Sequence, residues 1–97
     1  MDKFKGSIAV VTGASAGIGR GIVEKLLKDG DDLIVIGLAR RVIDIANDKF
    51  NSIQCDVGDA EQVEAAFNQI GQLYPDRKIS ILINNAGHAK VIDTKCY

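Results

Sequence analysis

The glycines that follow the first apolar run are the residues with the clearest chemical potential. Their spacing is G-x-x-x-G-x-G, in the segment Thr12-Gly13-Ala14-Ser15-Ala16-Gly17-Ile18-Gly19. Glycine lets a backbone approach a ligand closely, and the N–H groups at the start of a following helix attract phosphate. The loop therefore suits a dinucleotide pyrophosphate, with Gly13 allowing the turn, Gly17 the close approach and Gly19 the packing of helix on strand. A tight turn without a ligand is the alternative.

A pair of arginines forms the second candidate feature. Arg40 and Arg41 follow the second apolar run, about 20 residues beyond the glycines, where an NAD site usually places an Asp or Glu for the ribose 2′-OH. The nearest acids in the sequence are Asp32 and Asp44. We therefore expect a 2′-phosphate to meet two guanidiniums and no carboxylate, which favours NADP over NAD. A solvated helix start is the alternative for this pair.

The elements around these residues predict an α/β fold. Four apolar runs rich in Ile and Val, near residues 8–11, 33–38, 53 and 79–83, are typical of strands buried on both faces of a parallel sheet. Helical periodicity covers residues 18–30 and the segment after the capping Asp59, and one or two helical turns are expected within 40–51. Right-handed crossovers then give a Rossmann-like, doubly wound parallel sheet of four strands in the order 3-2-1-4.

Three motifs together resemble the short-chain dehydrogenase/reductase family. They are T-G-x-x-x-G-I-G at residues 12–19, Asp-Val after the third strand, and N-N-A-G after the fourth. The resemblance implies that Asp56 and Val57 hold the adenine ring, and that Asn84, Ala86 and Gly87 line the floor beneath the adenosine ribose. It also implies cofactor contacts from the loop residues Gly13, Ser15, Ala16, Gly17, Ile18 and Gly19. The segment 36–41 further resembles NADP-preferring members, which include insect farnesol dehydrogenases and vertebrate hydroxysteroid dehydrogenases.

The family resemblance implies an NADP-dependent oxidoreductase that acts on an alcohol or ketone. Hydride transfer in this family uses a Ser and a Y-x-x-x-K pair after the fifth strand, so we expect residues 1–97 to be an NADP-binding N-terminal half that ends before them. Tyr74 and Lys78 have the Y-x-x-x-K spacing, but Pro75 disfavours the helix that would place both on one face. A non-catalytic NADP-binding module and a nonfunctional fragment are the alternatives.

Composition narrows the possible partners. The net charge is −1 with scattered Lys and Arg, which argues against nucleic acid or an anionic membrane as a partner. We expect no signal or spanning segment, and free thiols at Cys55 and Cys96 in a reducing, cytoplasmic compartment. His88 is the lone histidine, so no metal site is expected. His88 either faces the nicotinamide pocket or is solvated.

The last part of the sequence predicts an unfinished sheet. The fourth run is apolar on both faces, so as an open edge it would favour oligomers or aggregation. Residues 88–97 show no strong periodicity and are predicted to be a disordered tail.

Overall fold

The computed structural model describes residues 5–14, 17–85 and 91–92. The elements in these ranges are β1 (Ile8–Thr12), α1 (Gly17–Asp29), β2 (Ile34–Ala39), β3 (Phe50–Gln54), α2 (Ala60–Leu73), β4 (Ile79–Asn84) and β5 (Val91–Ile92). The strands form one sheet in the order β3-β2-β1-β4-β5, in which the first four are parallel. The predicted Rossmann-like order 3-2-1-4 is confirmed.

Burial on both faces explains the continuous apolar runs. Every residue of β1 and β2 is buried, because helices lie on opposite faces of the sheet. On one face, Val23 of α1 packs with Ala9 and Val11. On the other face, Ala66 and Ile70 of α2 join Ile8, Val10, Ile36 and their neighbours. Alternate residues of each strand thus belong to different apolar clusters, as the two-residue period of a strand requires.

The prediction of helical turns between β2 and β3 is wrong. Residues 40–49 contain no helix, and this connection is shorter than the dozen or so residues that a helical crossover usually takes. Instead, Ile43 is buried, and its main-chain N–H donates to Ser52 Oγ at 2.9 Å. Ile43 Cδ1 lies 2.6 Å from the position that a Cβ on Gly37 would take, beside the ring of Phe50. The side chain of Ile43 therefore covers β2 where a helix was expected.

The fourth strand is not an open edge where β5 pairs with it. Leu82 and Ile83 of β4 lie opposite Ile92 and Val91 in an antiparallel ladder. The main-chain polar groups of an edge strand need partners, and even a two-residue strand supplies some of them. The predicted disordered tail thus contains a short strand. The rest of residues 88–97 lies outside the described residues.

A charged cluster joins three loops at the end of the sheet where β2 begins. Arg77 donates to Asp32 Oδ1 at 2.7 Å and to the Asp32 carbonyl at 3.0 Å, and Lys49 Nζ donates to the same carboxylate oxygen at 3.1 Å. Asp32 also has φ +50°, a conformation that Asp and Asn tolerate better than most residues. Hydrogen bonds from Arg77 and then Lys49 hold the pKa of Asp32 below its ordinary value of 3.8.

We expect the Asp32 cluster to make stability depend on pH in the acid range. Because its pKa is lower in the folded chain, the carboxylate stabilises the fold above the ordinary carboxyl pKa, and this contribution disappears as pH falls through the lowered value. Asp32→Asn keeps the left-handed backbone accessible but removes the charge. The variant should therefore melt below the original chain at pH 7, and the gap should narrow toward pH 2.

Thermal unfolding followed by circular dichroism from pH 2 to pH 7 measures this gap. Asp31→Asn is the matched control, because Asp31 carries an exposed pair with Lys5 at 3.5 Å outside the Arg77 cluster. A gap for Asp32→Asn that stays constant across the acid range would contradict the electrostatic explanation.

Candidate functional site

The glycine loop has the backbone conformation that its spacing predicts. Gly13 has φ +62° and Gly17 has φ +61°, values that L side chains rarely adopt. A Cβ on Gly17 would meet no atom of the described residues within 4 Å apart from its chain neighbours. A Cβ on Gly19 would lie 2.0 Å from the Gly13 carbonyl oxygen. Gly19 therefore lets α1 start directly against the end of β1, as predicted.

Of the remaining loop residues, the structure describes Ile18 but not Ser15 or Ala16. Ile18 was expected to join the apolar stripe of α1, but its side chain is 73% exposed, whereas Val23 is buried. The first turn of α1 also carries no acidic residue, so no carboxylate there competes for an anion.

Two residues that the sequence analysis did not assign to the site join the ends of β1 and β4. The Thr12 hydroxyl contacts Asn84 Oδ1 at 3.0 Å and accepts from the Asn85 main-chain N–H at 3.0 Å. Asn85 Nδ2 donates to the Gly13 carbonyl at 3.3 Å and would lie 2.8 Å from a Cβ on Gly19. Asn84 thus lies at the end of β4, in contact with the end of β1. Ala86 and Gly87 lie outside the described residues.

A cleft of about 540 Å³ opens beside this loop, at the carboxyl ends of β1, β2 and β3. It brings together Gly13, the two arginines and the Asp-Val pair, which are far apart in sequence. Its lining residues are Gly13, Leu38, Ala39, Arg40, Arg41, Cys55, Asp56, Val57 and Gly58. An adjoining cleft of about 410 Å³ continues toward Asn84 and Thr12. Such crevices at strand ends are where open α/β sheets bind ligands.

Asp56 has a fixed place at the rim of this cleft. Its Oδ1 accepts from the Gly58 N–H at 2.9 Å, and its own N–H donates to Gln62 Oε1 at 2.8 Å. Gln62 in turn donates through Nε2 to Asp59 Oδ2 at 3.1 Å. Asp59 is the N-cap of α2, as predicted, and accepts from the main-chain N–H of Glu61. The start of α2 therefore holds the main chain of Asp56, and the Gly58 N–H orients its carboxylate.

A carboxylate lies beside Arg40, although the acids nearest to the two arginines in sequence, Asp32 and Asp44, predicted none there. Arg40 and Arg41 are exposed at the lip of the cleft, but Arg40 Nε lies 3.8 Å from Asp56 Oδ1. This acid follows β3 and not β2, so it is distant from Arg40 in sequence. The signal was present in the predicted strand order, because neighbouring parallel strands bring their carboxyl ends together. Arg40 and Asp56 each follow directly after the last ladder contact, from Cys55 N–H to the Ala39 carbonyl at 2.8 Å.

Arg20 of α1 contacts both its own helix and the connection between β2 and β3. Its Nη2 donates to the Asp44 carbonyl at 3.1 Å, and its Nε donates to Glu24 Oε1 at 3.2 Å. Arg20 therefore joins α1 to the connection that carries the two arginines.

The Y-x-x-x-K spacing at Tyr74 has no catalytic geometry. α2 ends at Leu73, Tyr74 is its C-cap residue, and Lys78 lies just before β4. The Tyr74 hydroxyl accepts a hydrogen bond from the Asn51 side-chain amide, so it connects α2 to β3. The two side chains therefore do not share a helical face, as predicted.

Within the described ranges no group of three or more His, Cys, Asp or Glu side chains could hold a metal ion. No helix among these residues has the length and apolarity needed to cross a membrane. Cys55 is a buried free thiol, and desolvation raises its pKa. His88 and Cys96 lie outside the described residues.

The glycines of α1 provide a test of the loop geometry. Gly19→Ala should lower the free energy of unfolding by about 1–3 kcal/mol, because its methyl group would overlap the Gly13 carbonyl and force the loop to move. Gly21→Ala is the matched control, since a Cβ there meets nothing within 4 Å and should stabilise the helix by about 0.5–1 kcal/mol. Urea unfolding of both variants measures the difference, and equal effects would refute the packing role of Gly19.

Comparisons with known proteins agree with this geometry. The short chain dehydrogenase family model matches residues 7–96. A farnesol dehydrogenase from Aedes aegypti is 35% identical over 96% of this chain and 40% of its own length. A metagenomic short-chain oxidoreductase, solved in complex with NADP, aligns with a TM-score of 0.69 and 29% identity over 88% of this chain and 41% of its own. A Leptospira borgpetersenii short chain dehydrogenase with bound NAD+ aligns with a TM-score of 0.70 and 27% identity over 86% and 32%.

The three similar proteins are longer than this chain, which spans about 40% of the farnesol dehydrogenase and less of the Leptospira enzyme. The two structures carry different nicotinamide cofactors, so overall similarity does not choose between NADP and NAD. The family model nevertheless covers almost the whole sequence. The chain belongs to the short-chain dehydrogenase/reductase family of nicotinamide-cofactor-binding oxidoreductases.

Proposed function

We propose that the cleft binds the adenosine end of NADP(H), and that the chain is the cofactor-binding part of an NADP-dependent oxidoreductase. The observation that carries this proposal is the position of Arg40 and Arg41 at the lip of a cleft whose floor begins at Gly13. A guanidinium can bind a phosphate through two parallel N–H groups, and NADP(H) differs from NAD(H) only by the 2′-phosphate.

The residues around the cleft fit the parts of a dinucleotide. The turn at Gly17 and the start of α1 would receive the pyrophosphate, since among the described residues no atom beyond the chain neighbours lies within 4 Å of a Cβ placed on Gly17. Asp56 and Val57, which is 39% exposed, would contact the adenine ring. Asn84, with Ala86 and Gly87, would support the adenosine ribose. The bound cofactor would supply or accept a hydride, while this chain would hold and orient its adenosine and phosphate groups.

We propose an alcohol or ketone as the substrate of a longer form of the protein. The family membership and the farnesol dehydrogenase relative support this class, and a longer form would supply the Ser and the Tyr-x-x-x-Lys pair. The buried thiol of Cys55 supports a reducing, cytoplasmic location. The apolar run of β4 supports association of chains beyond its short pairing with β5.

The first prediction from this function concerns cofactor choice. The folded chain should bind NADPH more tightly than NADH, and Arg40→Asp should reverse that order. The change removes an attraction for the 2′-phosphate and adds a repulsion, each of the size of an exposed ion pair, so NADPH should bind roughly tenfold more weakly. NADH should be affected much less, because it has no 2′-phosphate. Fluorescence titration with both nucleotides measures the two dissociation constants.

Lys28→Asp is the matched charge reversal for this titration. Lys28 lies in the last turn of α1, about 16 Å along the helix from the glycine loop by helical rise. Lys28→Asp should leave the ratio of the NADPH and NADH dissociation constants unchanged. Equal affinities for NADPH and NADH in the original folded chain would rule out the proposed preference.

The second prediction concerns turnover by the 97-residue chain. It should bind NADPH without reducing carbonyl compounds, because Tyr74 is a C-cap residue and does not share a helix with Lys78. Loss of NADPH absorbance with a panel of aldehydes and ketones measures this activity. Turnover that Tyr74→Phe abolishes would show that Tyr74 is catalytic, and our assignment of it as structural would be wrong. Binding without turnover agrees equally with a non-catalytic NADP-binding module.

A further inference from the structure

Asp56 and Arg40 lie together at the part of the cleft that would receive the ribose 2′-phosphate. On the basis of the proposed NADP(H) site, we propose that Asp56 limits the preference for NADP(H) over NAD(H) by competing with the 2′-phosphate for Arg40. Asp56 is thus a specificity-determining residue in addition to its proposed contact with adenine. The preference of the site would then depend on a balance between one arginine and one aspartate on neighbouring strands.

The main chain of Arg40 is fixed, while its side chain extends into solvent. Gln54 Nε2 at the end of β3 donates to the Arg40 carbonyl at 3.1 Å, which holds the start of the connection against β3. The Arg40 side chain is 83% exposed, and its Nε lies 3.8 Å from Asp56 Oδ1. The long exposed side chain can therefore turn toward a phosphate without a change in the backbone.

The Asp56 carboxylate is the fixed member of the pair. The Gly58 N–H holds its Oδ1, and the Gln62 side chain holds its main-chain N–H. These contacts do not involve Arg40, so the carboxylate keeps its place when the guanidinium turns away. Because Asp56 stays in place, any movement of Arg40 toward a phosphate weakens the attraction between the Arg40 guanidinium and the Asp56 carboxylate.

Electrostatics gives the direction of the effect. A phosphate bound by Arg40 would lie within about one Debye length, 8–10 Å, of the Asp56 carboxylate, so the two anions would repel. A contact between Asp56 and adenine would be common to both cofactors, and it cancels in the ratio of their affinities. The competition for Arg40 concerns only the cofactor that carries the 2′-phosphate. Asp56 should therefore weaken NADP(H) binding relative to NAD(H).

The test compares dissociation constants for NADPH and NADH with the whole 97-residue chain. In Asp56→Asn the amide oxygen can still accept from the Gly58 N–H, so the turn is retained while the charge is removed. We expect the ratio of the NADH constant to the NADPH constant to rise about two- to fivefold, the range of an exposed ion pair. The increase should shrink as salt is raised, because salt screens exposed charges.

Two further variants separate competition for Arg40 from other causes. In an Arg40→Gln background, Asp56→Asn should raise the ratio much less, because the residue for which Asp56 competes is gone. Asp31→Asn makes the same substitution at the opposite end of the sheet and should leave the ratio unchanged. Asp56→Ser, whose hydroxyl can also accept from Gly58, repeats the measurement if Asp56→Asn fails to fold.

The possible outcomes distinguish this inference from the function on which it rests. If the folded original chain binds NADPH no better than NADH, the proposed function and this inference both fail. If it prefers NADPH but Asp56→Asn leaves the ratio unchanged or lowers it, only the inference is overturned. An equal rise in the Arg40→Gln background would assign the effect to direct repulsion and refute the competition for Arg40. A merely structural role of Asp56 would weaken both cofactors together and leave the ratio constant.

Discussion

The missing side chain at Gly19 is the constraint on which the site depends. Any Cβ there would collide with the Gly13 carbonyl and approach Asn85, so only glycine lets α1 begin against the end of β1. This contact sets where α1 begins, and the start of a helix carries N–H groups without intrahelical partners and the positive end of the dipole. Thr12 and Asn85 then fasten β4 to the same loop. One packing contact therefore aligns the glycine loop, the first helix and two central strands.

A second close packing arrangement determines the part of the site that carries charge. Gly37 leaves room on β2 for Ile43 and Phe50, and a side chain at that position would displace both. Because Ile43 fills this space, the connection from β2 to β3 covers the sheet without a helix. Arg20 holds the same connection to α1 through the Asp44 carbonyl. The two arginines consequently lie on a segment that two contacts hold in place. These are the buried side chain of Ile43 and the hydrogen bond from Arg20 of α1.

The sequence predicts most of the fold because its strongest signals are local. The apolar runs, the helical stripe after Asp59 and the glycine spacing each depend on neighbouring residues, and the structure confirms the strand order and the N-cap. The errors concern contacts between distant segments. Ile43 looks like a residue of a short helix until Gly37 is seen to leave space for it. Three other contacts likewise join residues that only the folded sheet brings together. They are the pairing of β5 with β4, the Thr12–Asn85 contact and the Arg40–Asp56 pair.

The proposed cofactor site has two properties, its shape and its charge. The shape follows from local sequence signals, and the charge follows from a contact between distant segments. Shape comes from the glycine loop, whose turn would accept the pyrophosphate shared by NAD(H) and NADP(H). Charge comes from the ends of β2 and β3, where Arg40 and Asp56 follow adjacent ladder residues. An exposed pair contributes only about 0–1 kcal/mol, so substitutions there change cofactor choice with little effect on stability. A substitution at Gly19 affects the fold as well. Cofactor preference can therefore vary among proteins of this fold while the glycine loop stays the same.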